Sequence, residues 1–312
     1  MKNRGPAHSW HACGLFLAAA ILLVILVPIR CPCRAQDADD RARSDPGLYW
    51  SVNVSTATLS GLVQGRFGKH GLPRTLLGGL VGGTLMFGGQ RMIGTGLPGL
   101  RFAGLQTVAV GASVARNLGT GHPTWAELTF PVFPFYVQVH PAGDPHVSVR
   151  ASVVGIGGIV HSVREFHRWP DWSESVLAGM PVFRVPAQRL QGCAQVDRAG
   201  QCMEAVVGHH VFGAVAFADQ PEHFTPRNVL THELGHAAQD VRDAVLHAVP
   251  ASDLVLRSDP VGRVLARFLV VDVVLPLNLV SHAAGPPAFD PACRRLTTFY
   301  ECETEAMMTR VP

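Results

Sequence analysis

The segment Leu230-Thr231-His232-Glu233-Leu234-Gly235-His236-Ala237-Ala238 decides how this 312-residue chain is read. Thr225 is a suitable N-cap, Pro226 a suitable first helical residue and Pro250 a stop, so one helix is expected near 226–248. Residues four apart share a helical face with Cβ atoms about 5–6 Å apart, so His232 and His236 can offer imidazole nitrogens to one ion. Glu233 stands about 100° round the helix, where its carboxylate can reach a water beside that ion and act as general base. With this chain's own histidine and glutamate content, His-Glu-x-x-His is expected by chance only about 0.02 times. The simpler alternative is a helix whose histidines merely hydrogen-bond in a core. Gly235 costs about 1 kcal/mol relative to Ala in a helix interior; its missing side chain leaves room for another element beside the motif.

A catalytic zinc takes three protein ligands and a water, so a third ligand must come from elsewhere. Toward the C-terminus the chain reads Phe299-Tyr300-Glu301-Cys302-Glu303-Thr304-Glu305-Ala306-Met307. Residues 229–238 resemble the zincin metallopeptidases. The metzincin extension requires Gly at 239 and His at 242; Gln239 and Arg242 stand there, which removes that branch. Glu303-Thr304-Glu305-Ala306 is similar to the E-x-x-A-D motif of gluzincins of the CAAX prenyl protease type, with Met307 in place of the final Asp. That resemblance implies a Zn2+ cofactor held by His232, His236 and Glu303, with Glu233 activating the water. Glu305 and Glu301, spaced to share a helical face, remain alternatives to Glu303. Asp240, four past His236, is a further candidate for ligand or supporting partner. His209, His210, His223 and His282 are candidates for transition-state contacts, and Tyr300 for an oxyanion donor.

Outside residues 1–36 four cysteines remain, Cys193 and Cys202, then Cys293 and Cys302, each pair nine residues apart. Pairing within each pair is expected; Cys302 joined to Cys293 would then anchor the chain next to Glu303. Each such loop would add roughly 2–3 kcal/mol by chain-entropy estimates. Export agrees with this. Lys2 and Arg4 precede an uncharged apolar run from Leu15 to Val27, and Cys33-Arg34-Ala35 closes a polar end, the layout of a signal peptide or an uncleaved membrane anchor.

The formal net charge is +3, but Lys2, Arg4, Arg30 and Arg34 lie in this leader, and 3 − 4 leaves −1 for the rest. Nucleic acid is therefore not an expected partner. Hydrophobic residues make up 47% and charged residues 16%, which excludes a disordered chain and leans toward exported or membrane-associated proteins.

Residues 36–47 read as a polar linker. Between 61 and 121 lie 17 of the 32 glycines, including Gly78/Gly82 and Gly79/Gly83 at the small-xxx-small spacing of close helix contacts in membranes. The run is short for a spanning helix, and a glycine-rich apolar hairpin packed on the core or dipping into a bilayer is expected. Alternation from Phe135 to Val153 around Pro141–Pro145 predicts a β-hairpin. Short strands are expected at Trp50–Thr56, Pro181–Val185 and Val211–Ala218, and further helices over Val264–Val280 and Thr297–Thr309. The expected fold class is α+β: a β-rich, glycine-rich region over 48–190 and a helical, zincin-like region over 191–312. The expected function is an exported or membrane-associated zinc metallopeptidase acting on a peptide or protein substrate. The alternatives are a non-enzymatic envelope protein with a structural or degenerate metal site, and zinc hydrolysis of a non-peptide bond.

Overall fold

A computed structural model describes residues 46–68, 71–186, 190, 193–196, 202–205, 208–211, 213–219 and 226–271. The glycine-rich region is helical. Three helices, α1 (Pro46–Gly68), α2 (Leu72–Gly94) and α3 (Pro98–Gly119), follow one another, α2 and α3 each with Pro in the first turn, where its missing N–H costs nothing. The β-rich N-terminal half expected from the glycine content is thus corrected, and with it the strand expected at Trp50–Thr56, which lies within α1.

The physical reason is contact between backbones. The α2 glycines point inward: Gly79 and Gly83 lie on Thr58 and Val54 of α1, while Gly78, Gly82 and Gly89 lie on α3. A Cβ added at Gly82 would come within 2.5 Å of the Gly111 carbonyl oxygen, and one at Gly89 equally close to that of Gly104. These glycines lower intrinsic helix propensity, and close packing offsets the loss. A buried hydrogen bond from Asn53 Nδ2 to Gln90 Oε1, 2.8 Å, sets the register of α1 on α2.

Next come β1 (Leu128–Val132), β2 (Phe135–His140) and β3 (His146–Ser152), an antiparallel meander in which Val137 faces Val149. The expected hairpin is there. Ser152 then caps α4 (Val153–Phe166), accepting from the Gly155 N–H, and Asp171 caps α5 (Trp172–Ala178). Hydrogen bonds from Ser173 to Asp171, with the backbone N–H of Glu174 and the nearby Arg184, hold the Asp171 carboxyl below the usual carboxylate range against a weaker opposing effect of burial.

A second sheet has the order β4-β8-β7. In it β8 (Ala214–Ala218) is central, parallel to β4 (Val182–Val185) and antiparallel to β7 (Gly208–Val211). All five β8 residues are buried, which explains their unbroken apolar run. A separate ladder pairs β5 (Cys193–Val196) with β6 (Cys202–Ala205); its register sets Cys193 opposite Ala205 and Cys202 opposite Val196.

Helix α6 (Pro226–Asp243) packs on β8, β7 and the three-helix layer, and its Leu230, Leu234, Ala237 and Val241 share one core with Met86, Leu105, Val108 and Phe217. Pro250 does not stop it. A π-helical turn at Ala244–Ala248 leads directly into α7 (Val249–Leu256). A proline inside a helix deprives preceding carbonyls of their donor. Here Gln64 Nε2 of α1 donates to the Leu246 carbonyl at 2.5 Å, and Arg116 Nη1 of α3 lies 3.5 Å from that of Val245. Arg116 also pairs with Glu127, and although burial works to raise the Glu127 carboxyl, this guanidinium holds it below its ordinary value. The expected helix over Val264–Val280 is corrected at its start: α8 (Pro260–Leu265) ends there, and β9 (Leu269–Val270) joins β3 in parallel. The remainder of that segment and the helix expected over Thr297–Thr309 lie outside the described residues.

Candidate metal centre

On α6 the buried apolar residues form the stripe that faces the core, and a second row, His232, His236 and Asp240, runs half-buried along its flank at four-residue spacing. Arg101 of α3, itself buried, donates through Nη2 to Thr231 Oγ1 at 3.2 Å, fixing the helix immediately before the first histidine.

The two imidazoles converge. Their Nε2 atoms lie 3.2 Å apart, with the rings nearly perpendicular at 81°. Two nitrogens bound at about 2.05 Å to one tetrahedral zinc stand about 3.3 Å from each other. The observed separation is that of a hydrogen bond between the two rings and also fits two corners of such a site. His236 Nδ1 lies 3.1 Å from Gln239 Oε1, and since that oxygen only accepts, Nδ1 carries the proton and Nε2 presents its lone pair. Gln239 is fully buried. Its contact with His236 is absent from the sequence expectations, which treat Gln239 only as a departure from the metzincin pattern; a Gln three residues after the second histidine, one turn on along the same helix, is the signal for it.

Glu233 is buried, 7% exposed, with its carboxylate against β7. A Cβ at Gly208 would overlap Glu233 Oε1 and come within 2.8 Å of Val229 Cγ1, so β7 crosses the motif closely only because residue 208 has no side chain. Two residues along the same strand, His210 approaches the row of His232, His236 and Asp240: its ring centroid is 6.5 Å from that of His236, and its Nε2 is 3.6 Å from Asp240 Oδ2. The structure thus brings together His232, Glu233, His236, His210 and Asp240, with Asp240 facing His210. His209 pairs with Ala216 in the ladder.

Among the described residues, no three His, Cys, Asp or Glu side chains are grouped so as to hold a metal. The expected third ligand, Glu303, with its alternatives Glu305 and Glu301, lies outside them, as do His223, His282, Tyr300, Cys293 and Cys302. The chain matches no family model, no curated protein and no solved structure.

If Gln239 orients His236, Gln239→Leu lowers zinc affinity by about 10–100-fold, while Gln239→Glu, which keeps an acceptor, recovers most of it. Competition titration against a chromophoric chelator reads this directly, and equal affinity in all three proteins would show that Gln239 only packs.

Proposed function

We propose that the protein is a zinc metallopeptidase, exported or held at a membrane. The observation that carries this is the 3.2 Å convergence of His232 and His236 Nε2 with Glu233 next in sequence. The third ligand is assigned to Glu303 on its resemblance to the gluzincin motif.

Zinc, when bound, is a Lewis acid that brings the pKa of a coordinated water toward about 7 and polarises a carbonyl. Glu233, one position from the ligand pair, takes the proton of the attacking water and hands it to the departing amine. Its burial against β7 keeps bulk water from competing for that proton. His210, oriented by Asp240, offers a ring nitrogen to the oxygen on which charge develops. Gln239 holds the His236 tautomer throughout.

Incubation of the purified, zinc-loaded protein with a proteome-derived peptide mixture, followed by mass spectrometry, tests the reading. New termini are expected that vanish with 1,10-phenanthroline and return with added zinc. Zinc-loaded protein that leaves the mixture uncut would make this a structural metal site.

A further inference from the structure

Helix α2 is built inside out. Its glycines face the neighbouring helices, while Leu72, Leu76, Leu77, Leu80 and Val81 point to solvent, with Leu76 50%, Leu77 52% and Leu80 47% exposed. A helix packed in water buries its leucines; small residues inward and leucines outward is the arrangement of helices packed in lipid. The contacts Thr58 to Gly79 and Gly61 to Thr75 bring the exposed Leu59, Leu62 and Val63 of α1 to the same end of the hairpin. That end is therefore apolar on both helices.

Charge tells which partner fits it. From residue 46 to residue 126 the chain has no Asp or Glu but six cations, Arg66, Lys69, Arg74, Arg91, Arg101 and Arg116. Arg101 and Arg116 have carboxylate partners in the interior, Glu174 and Glu127. Arg74 lies exposed in the first turn of α2, at the apolar end, its Nη1 donating to the Gly121 carbonyl at 3.2 Å. Apolar side chains bordered by an exposed cation, on a stretch of chain without acids, match the acyl and headgroup layers of an anionic leaflet. No helix among the described residues is long and apolar enough to cross a membrane, and this surface fits one leaflet.

We propose that the α1–α2 end of the bundle docks on an anionic lipid surface, its leucines entering the headgroup boundary and Arg74 meeting a lipid phosphate. This specifies the membrane side of the function proposed above and is independent of the zinc chemistry.

The test is flotation of the full chain with phosphatidylcholine vesicles, with and without phosphatidylserine, comparing the unaltered protein with Leu76→Asn/Leu80→Asn and with Arg74→Gln. Each variant retains the N-terminal apolar run, so a difference reports on the hairpin. Solvent-facing positions tolerate these changes, and circular dichroism with zinc content verifies the fold and the motif separately. Binding that requires phosphatidylserine, weakens with salt, falls at least about tenfold in the leucine variant and falls partly in Arg74→Gln is expected. Equal flotation of the leucine variant and the unaltered protein would overturn the proposal. So would the absence of flotation, or a lipid-free dimer that only the leucine substitutions dissociate, which would make a second copy the occupant. Zinc content unchanged across the set separates failure of this surface from failure of the peptidase reading.

Discussion

Glu233→Gln lowers peptide hydrolysis by about 10³-fold or more, in the upper part of the range for general acid–base catalysis, and leaves zinc content unchanged. The substitution keeps shape and most hydrogen-bonding capacity but removes the carboxylate next in sequence to His232 that the proposal assigns as proton acceptor. It touches neither His232 nor His236, and Gln239 still faces His236 Nδ1. Because Glu233 is buried against Gly208, circular dichroism of the variant accompanies the assay and separates loss of chemistry from loss of fold. Single-turnover cleavage of a peptide found in the substrate survey, beside metal analysis of the same sample, reads both quantities. Cleavage at the unaltered rate would mean that another base serves the water, and zinc loss would make Glu233 part of the metal's support.

Gly83→Leu costs the fold about 3 kcal/mol or more, the upper end for overpacking, because the obstruction is main chain rather than a side chain that can turn away. A Cβ at residue 83 would run into the Val54 backbone, so α1 and α2 must separate. The damage reaches the metal site, since α6 rests on α2 and α3 through Leu230, Leu234 and Ala237. Gly88 is the internal control: nothing lies within 4 Å of its would-be Cβ, and Gly88→Ala should stabilise the helix by up to about 1 kcal/mol. Urea denaturation followed by circular dichroism distinguishes the two. Equal midpoints for Gly83→Leu and the unaltered chain would contradict the glycine-mediated packing.

The same glycines explain what could and could not be read from the sequence. The spacing of Gly78/Gly82 and Gly79/Gly83 was legible as a helix-contact signal, and each pair does face a different neighbour, α3 and α1 respectively. Helical periodicity was hidden because the core-facing residues have no side chains to register as apolar, while the leucines that do register face outward. The strand expected at Trp50–Thr56 gives way to the tertiary contacts that form the helices. Hairpin β2–β3 was legible because its alternation is local and turn-bounded. Pro250 was read as a stop because its cost is local, whereas the remedy comes from Gln64 in α1 and Arg116 in α3, far away in sequence. At the site, four-residue spacing is enough to expect His232 and His236 on one face of α6, where their Nε2 atoms lie 3.2 Å apart. The role of Gln239 required knowing which imidazole nitrogen points outward, and the approach of β7 through Gly208 required tertiary structure.

All of this chemistry depends on α6 holding a metal. Elemental analysis of the purified full chain and of His236→Ala, after equilibration with zinc and exhaustive dialysis, tests that most directly. About one zinc per chain is expected in the unaltered protein, the stoichiometry of a three-ligand catalytic site, and essentially none in the variant. A metal-free unaltered protein, or equal zinc in both, would contradict it.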